Sequence, residues 1–430
     1  MSDFIAEPYA YQMGIIAKRW PAVANFINSS QYPESIEFSH CTPETTIIVD
    51  GIHVSSAYDS QKEAQVQCSH ISDDESTVWL YGIGTDDVMM ECLSKRNLTT
   101  LNVVLISPAC FRECLRYFDQ RRWLSDTRVQ VLLPYEQRNL KHPYVVMPAC
   151  LRLIDDSAAR IRDLIVADIN AGYSSRRIID DETRDRHTEL NLNAVLQDHD
   201  VTELFELYKG KTIYVAGAGP SLATQLEQLQ KTPPDVLICV DAALKPLLDA
   251  GIEPHYVVSI DPHATITADL LNCNLKRPES VALVYFPTLH PNAVNIWNGR
   301  RYAAYSHSPV FAQITKHVSR GILFSSGSVI HPAIDLAVKM GANEIKLCGV
   351  DFSYPRKQSH VTGAVAYETM DVSSKQYWVF DGRGNKVASD PNFLAYLRDL
   401  ETYIHANRNK RFINMSREGA RIDGTDYEDE

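Results

Sequence analysis

The sequence predicts an α/β fold made of two Rossmann-like parallel-sheet units joined and followed by helical segments. Three observations predict it. Short apolar, β-branched runs alternate with amphipathic helical stretches, which is the pattern of parallel sheets. Two of those runs end in glycine turns, Tyr81-Gly82-Ile83-Gly84-Thr85 and Ala216-Gly217-Ala218-Gly219-Pro220-Ser221. Later runs end in aspartate: Val236–Val240 at Asp241, His255–Ile260 at Asp261, and Glu344–Cys348 at Gly349 and Asp351. At 430 residues the chain has room for two or three domains.

In chain order, residues 1–150 read as an N-terminal Rossmann-like domain. A helical start carries Ile15, Trp20, Val23 and Phe26. Strands are expected at Thr45–Val49, Ala64–His70, Thr77–Tyr81, Leu101–Ile106 and Val129–Leu133. Helices are expected through Val88–Leu93 and Ala109–Phe118. Gly82 and Gly84 open the first glycine turn. The next strand, however, ends in Ser107-Pro108 rather than in the acidic residue that usually holds a ribose. A structural or degenerate unit is therefore favoured over a nucleotide or S-adenosylmethionine pocket. Residues 151–210 read as a helical linker, with a charged stretch at Ser174–Arg186 and one helix over Leu190–Leu207.

Residues 211–388 form the second Rossmann-like unit, with strands at 212–216, 236–240, 256–260, 281–285 and 344–348. Thr212–Ala216 reads as a buried strand, and Ser221 as the cap of a helix through Leu222, Leu226 and Leu229. A strand, a glycine turn and a helix start together make an anion site, because unpaired N–H groups and the helix dipole point at one spot. Gly217, Gly219, Pro220 and Ser221 are therefore candidate nucleotide contacts. The alternative is a tight turn with no ligand. Ligands of open parallel sheets lie at the carboxyl ends of strands, so Asp241, Asp261 and Asp351 should converge beside that turn. Ser325-Ser326-Gly327-Ser328 opens another helix, which runs to Gly341 and offers further hydroxyls and N–H groups. After Asp351 a mobile polar loop carries Tyr354, Arg356, Lys357 and His360, and His360 suits general-base work on a hydroxyl. Residues 389–430 read as a C-terminal helix, a short strand at Arg411–Asn414 and an acidic, disordered tail.

Composition narrows the function. A net charge of −12 argues against a generic nucleic-acid surface. No apolar run reaches the length of a membrane span, and no secretory signal opens the chain, so a cytoplasmic location is expected. The nine cysteines, Cys41, Cys68, Cys92, Cys110, Cys114, Cys150, Cys239, Cys273 and Cys348, form no CxxC and read as reduced, buried thiols.

Four stretches, VAGAGPSL at 215–222, AGIEPHYVVSIDP at 250–262, 325–354 and INMSREGARIDGT at 413–425, together resemble the motility accessory factor family. Members of that family carry a domain like the archaeal 6-hydroxymethylpterin diphosphokinase. The GPSL and 325–354 stretches also look like bacterial sialyltransferases. The resemblance implies a glycosyltransferase that moves a nonulosonic sugar from a CMP-activated donor to flagellin, another protein or a surface glycan. It implies His360 as base, Tyr354 stabilising the departing phosphate, and Asp351 beside them. Asp241 and Asp261 would bind ribose or sugar hydroxyls, or a magnesium ion if one is used. Ala218 stands where the sialyltransferases have asparagine, which removes one contact to cytidine. No firm cofactor is implied, and homo-oligomers are compatible with the reading. The rivals are an Mg-ATP-dependent pterin diphosphokinase and a non-catalytic binding protein of flagellar or polysaccharide assembly.

Overall fold

The computed structural model describes residues 2–41, 44–177, 181–264 and 278–428. The chain divides into two compact units, 1–166 and 167–430.

The first unit holds α1 (Ser2–Arg19), α2 (Pro21–Ser29), β1 (Ile36–Cys41), β2 (Glu44–Val49), β3 (Ile52–His53), α3 (Ser60–Gln67), β4 (Thr77–Tyr81), α4 (Asp87–Leu93), β5 (Thr100–Val104), α5 (Pro108–Tyr117), α6 (Arg121–Leu124), β6 (Val129–Leu132), β7 (Tyr144–Val146) and α7 (Pro148–Arg152). Its four-stranded sheet is ordered β6-β5-β4-β7 and is parallel throughout. That order winds outward from β4 and returns to its other side, as Rossmann-like sheets do. The expected strand at Ala64–His70 is instead α3, because Asp59 accepts the Lys62 N–H at 2.7 Å and starts a helix there.

The second unit follows α8 (Ala159–Arg177) with α9 (Asp181–Leu190), α10 (Leu192–Gln197), β8 (His199–Asp200), β9 (Thr212–Ala216), α11 (Leu226–Lys231), β10 (Leu237–Val240), α12 (Asp241–Asp249), β11 (Tyr256–Ser259), β12 (Ala282–Tyr285), α13 (Pro291–Ile296), β13 (Arg301–Ala303), α14 (Ile330–Lys339), β14 (Glu344–Cys348), β15 (Tyr377–Phe380), β16 (Lys386–Ser389), α15 (Pro391–Ala406), β17 (Arg411–Asn414) and β18 (Asp426–Tyr427). Nine parallel strands run in the order β18-β17-β14-β9-β10-β11-β12-β13-β8. The central strands β10, β11 and β12 are buried along their whole length, which is why they read as continuous apolar runs. The winding reverses between β9 and β14, and the crevice at such a switch point is where ligands bind.

Two expectations are corrected here. Leu190–Leu207 is not one helix. It breaks after Gln197, β8 pairs with β13, and Asp200 then caps a short 3-10 turn at Val201–Leu204. The tail is not disordered up to residue 428. Asp426 and Tyr427 pair with β17, Tyr427 is buried, and Glu428 binds Lys346 at 2.6 Å. Part of the charged stretch at 174–186 is helical in α8 and α9, and residues 178–180 lie outside the described residues. Seven cysteines are free and buried; the side chains of Cys41 and Cys273 lie outside the described residues. Among the described residues no helix is long and apolar enough to cross a membrane.

Candidate functional site

The glycine turn after β9 stands at the switch point, but its own chain fills it. A Cβ on Gly217 would lie 2.6 Å from the Gly349 carbonyl oxygen, and one on Gly219 would lie 2.5 Å from Asp351 Oδ2. Neither glycine needs a left-handed backbone. They are small because the turn after β14 presses on them. Three of its N–H donors are engaged as well. Gly217 donates to Cys348 at 2.8 Å, Gly219 donates to Gly349 at 2.9 Å, and Ser221 N donates to Asp351 Oδ2 at 2.8 Å. Ser221 Oγ donates to Asp351 Oδ1 at 2.5 Å. A phosphate at this turn would need those same donors, so the anion that the sequence reading assigned to a ligand is supplied by the Asp351 carboxylate. Ser221 is fully buried and caps no helix; Gly219 precedes a 3-10 turn at Pro220–Thr224. The Pro220 carbonyl accepts from Arg356.

Burial pushes the Asp351 carboxyl up to about 6, against the pull of the two Ser221 donors and Arg356. This is a carboxylate kept in a costly ionised form at the centre of the crevice, a mark of functional sites.

Beside the turn lie two adjoining cavities. The narrower, about 150 Å³, is lined by the backbone of Gly217–Gly219 and by Asp351, Ser359, His360 and Tyr396. The wider, about 480 Å³, is lined by Arg184, Asp241, Asp261, Ser325, Ser328 and Tyr396 among others. Ser328, Val329 and Tyr396 belong to both. The wider cavity also carries the hydroxyls of Thr288, Ser306 and Ser308, and the edge residue His263.

His360 faces the narrow cavity half-buried. Its Nδ1 lies 3.2 Å from Ser359 Oγ. That hydroxyl gives its proton to the Ala366 carbonyl at 3.1 Å and accepts the Glu368 N–H at 2.8 Å. The remaining role of Ser359 is to accept from Nδ1–H, which leaves the lone pair on Nε2. Burial lowers the imidazole below its ordinary 6.5, with the Ala366 carbonyl and Glu368 acting in the opposite sense, so the ring is neutral near pH 7.

The loop bearing His360 is pinned, contrary to the mobile segment expected. Arg356 pairs with Glu418 at 2.8 Å, and Val361 N donates to Ala218 at 2.9 Å. Phe352, Arg356 and Lys357 hold positive φ values of 45°, 55° and 58°. Non-glycine residues held in that region are strained, and such strain clusters at functional sites. The Tyr354 hydroxyl donates to Asp390, which also binds Lys375 at 2.7 Å. Tyr354 lines neither cavity, so the arrangement turns its hydroxyl away from any departing phosphate.

The turn before α14 is built by residues the sequence reading missed. Ser326 Oγ donates to Asp399 at 2.5 Å, away from the cavities. His331 accepts from Ser326 N at 3.3 Å on Nδ1 and meets the Tyr396 carbonyl at 3.0 Å on Nε2. Burial holds this imidazole down at about 4, hence neutral. Gly327, at φ 85°, lies under the Tyr396 ring, where a Cβ would stand 2.7 Å from it. Ser325, Gly327 and Ser328 thus face the wider cavity at the N-terminus of α14, where first-turn N–H groups lack helical acceptors. Tyr396 sits on α15, and burial followed by the nearby Asp261 charge raises its phenol, so the hydroxyl stays a donor.

Asp241 is buried, with Oδ2 accepting from Ser259 Oγ at 2.7 Å and Oδ1 from Ala242 N at 2.8 Å. Asp261 is half-exposed and accepts from His263 N at 2.8 Å. Among the described residues no three His, Cys, Asp or Glu side chains are grouped to hold a metal ion. Each Asp241 oxygen accepts one hydrogen bond, and Asp241 and Asp261 line the same wider cavity. A magnesium ion here would have to draw on substrate phosphate and water.

The first unit repeats the motif with its turn plugged. A Cβ on Gly82 would lie 2.6 Å from Cys150 Cβ, and one on Gly84 2.8 Å from Met147 Cε.

Fold and site together define a Rossmann-type domain with its ligand crevice at the carboxyl ends of a parallel sheet. Within that class, residues 186–357 match the family model of the 6-hydroxymethylpterin diphosphokinase MptE-like proteins. His360, Tyr396 and β17 lie beyond the matched segment. No curated protein matches the chain. Among solved structures, a Maf glycosyltransferase from Magnetospirillum magneticum AMB-1 is similar over 98% of this chain and 74% of its own, at 15% identity and a TM-score of 0.45.

Proposed function

We propose that the second unit is a glycosyltransferase that takes a nonulosonic, sialic-acid-like sugar from a CMP-activated donor and passes it to a hydroxyl of a protein such as flagellin, or of a surface glycan. One observation carries the reading: a neutral, half-buried His360 faces a narrow cavity that adjoins a wider one rich in hydroxyls and carboxylates and bearing Arg184. A polyhydroxylated anion suits the wider cavity. Its serine and threonine hydroxyls and Asp261 would meet sugar or ribose hydroxyls, and Arg184 would meet phosphate or carboxylate. The serine turn before α14 would add N–H donors.

The chemistry follows from that placement. As the acceptor oxygen bonds to the anomeric carbon, His360 Nε2 takes its proton. The bond from that carbon to the phosphate oxygen breaks, and its electron pair leaves with CMP. Arg184 and the α14 N-terminus would stabilise the departing negative charge. Asp351 acts through Ser221 and the glycine turn, fixing the floor of the narrow cavity, and is a positioning residue.

A thermal-shift and calorimetry panel of CMP, CDP, ATP and S-adenosylmethionine, each with and without magnesium, tests this. A ligand at about 100 times its Kd stabilises by about 2.7 kcal/mol. For a unit of this size that raises the midpoint by about 5–10 °C. CMP should do so, and Arg184→Ser should abolish the effect. Stabilisation by Mg-ATP alone would replace this reading with a pterin diphosphokinase. Binding of none of the four would leave a non-catalytic binding protein of flagellar or polysaccharide assembly.

A further inference from the structure

The first unit carries a pair of thiols, between α3 and α4, that takes no part in the site above. Cys68 caps the C-terminal end of α3, and Cys92 lies in the last turn of α4. Their sulfurs are 3.6 Å apart although the residues stand 24 positions apart in the chain, and both residues are fully buried. Two bonded sulfurs lie about 1.5 Å closer than that. The pair is also polarised. The hydrogen bond from Cys92 pulls the Cys68 thiol below its ordinary range, against the effect of burial, and the same bond together with burial pushes the Cys92 thiol up. Cys92 is thus the donor, and Cys68 is the sulfur with thiolate character, the form that reacts.

The cover over Cys68 is thin. Ala64 is the one buried residue within α3, and Gln65, Val66, Ser69 and His70, beside Cys68 in the chain, are exposed. The Gln67 side-chain oxygen, in the same turn, is buried with no hydrogen-bond donor to meet it. Unwinding that turn gives up little apolar burial and returns the oxygen to water, which places it among the low-cost local openings of a fold. Cys110, Cys114 and Cys150 differ. Phe111, Leu115 and Ala149 beside them are buried as well, so no comparable opening reaches those thiols.

We propose that Cys68 and Cys92 are a reversible oxidation site, at which a peroxide converts the dithiol into a disulfide that staples α3 to α4. The Cys68 thiolate attacks one peroxide oxygen, the O–O bond breaks, and the other oxygen leaves as hydroxide, which a proton turns into water. Cys68 is then a sulfenic acid. The Cys92 sulfur attacks the Cys68 sulfur, the S–O bond breaks, and the departing hydroxide takes the Cys92 proton and leaves as water. Two thiols and one hydrogen peroxide thus give one disulfide and two waters; the sulfurs are oxidised and the peroxide oxygens reduced.

Peptide mapping by mass spectrometry, on the folded full chain treated with hydrogen peroxide and alkylated without reduction, tests the proposal. One dominant cross-link, Cys68 to Cys92, should appear, and dithiothreitol should restore both thiols. Cys92→Ser should stop the reaction at the Cys68 sulfenic acid, which dimedone traps, whereas Cys68→Ser should leave Cys92 unlabelled. Absence of the Cys68–Cys92 cross-link overturns the proposal. So does a mixture of pairings that matches the chain oxidised in urea, because oxidation would then follow global unfolding. Dimedone on Cys92 in Cys68→Ser, with none on Cys68 in Cys92→Ser, overturns the order of attack. If either variant fails to fold, the map of the parent chain decides alone.

Discussion

Replacing Asp351 with asparagine should stabilise the protein at alkaline pH. The carboxyl titrates at about 6 in the fold, against an ordinary 3.8. The difference is about 2.2 pH units, equivalent to about 3 kcal/mol at 1.36 kcal/mol per unit. Because the folded value is the higher one, the fold holds the Asp351 proton more tightly than the unfolded chain does. Its contribution is therefore fully present below about pH 4 and is lost as pH rises through about 6. Asparagine mimics the protonated form at every pH. Its oxygen can accept from Ser221 N, and its amide can donate to Ser221 Oγ, so both contacts survive. Their pull on the carboxylate is already contained in the value of about 6. Asp351→Asn should thus match the parent near pH 4 and exceed it by about 2–3 kcal/mol at pH 8. Urea unfolding of both proteins at pH 4, 6 and 8 measures this, because the difference cancels every other titrating group. A variant less stable than the parent at pH 8, with the deficit shrinking toward pH 4, would refute the argument. It would mean that the Ser221 bonds outweigh the cost of burying the charge.

Other outcomes follow from the same geometry. His360→Ala should cut turnover by about 10²–10⁴ while leaving donor affinity unchanged, and single-turnover assays with separate binding titrations check both. Since burial lowers the His360 imidazole, the parent's rate should stay level at neutral pH and fall only as pH drops below 6.5; a limb above 6.5 would exclude His360 as the base. Gly349→Ala places a Cβ 2.6 Å from the Gly217 carbonyl oxygen at a backbone φ of 62°, and should lower the midpoint by about 6–12 °C in calorimetry. Tyr403→Phe removes a hydroxyl that donates to buried Asp335 at 2.6 Å, and should cost about 1–3 kcal/mol in denaturant titrations.

The sequence disclosed β10 to β12 because burial on both faces leaves unbroken apolar runs, and β9 and β14 because alternating half-buried runs end there in glycine turns. It misled at Ala64–His70, where Ala64, Val66 and Cys68 alternate with polar residues as a strand would. The Asp59 cap overrides that alternation, and Val66 is left exposed. Two-residue strands such as β8 and β18 have no period to detect. The glycine turn was located correctly but for an incomplete reason, since nothing local reveals that Asp351, 130 residues away, occupies its donors. His360 and the Ser325–Ser328 turn were legible from their type and setting. Tyr396, His331 and Asp399 were not. On α14 and α15 they read as ordinary helical positions, and only the folded contact of the two helices brings them to the turn.

The nine-stranded sheet takes one border from β8, near the start of its unit, and the opposite border from β18, at its end. Eight interstrand steps of about 4.8 Å separate them, so the borders stand about 38 Å apart. That distance sets a rule for re-engineering the molecule. A circular permutant that fuses the two borders needs a bridge of about 12 extended residues, whereas a new opening in an exposed loop leaves every strand with its neighbours. It also sets an order of assembly on the ribosome. The interior strands can pair while the chain is still emerging, but the sheet receives its last border only after residues 426–427 have emerged.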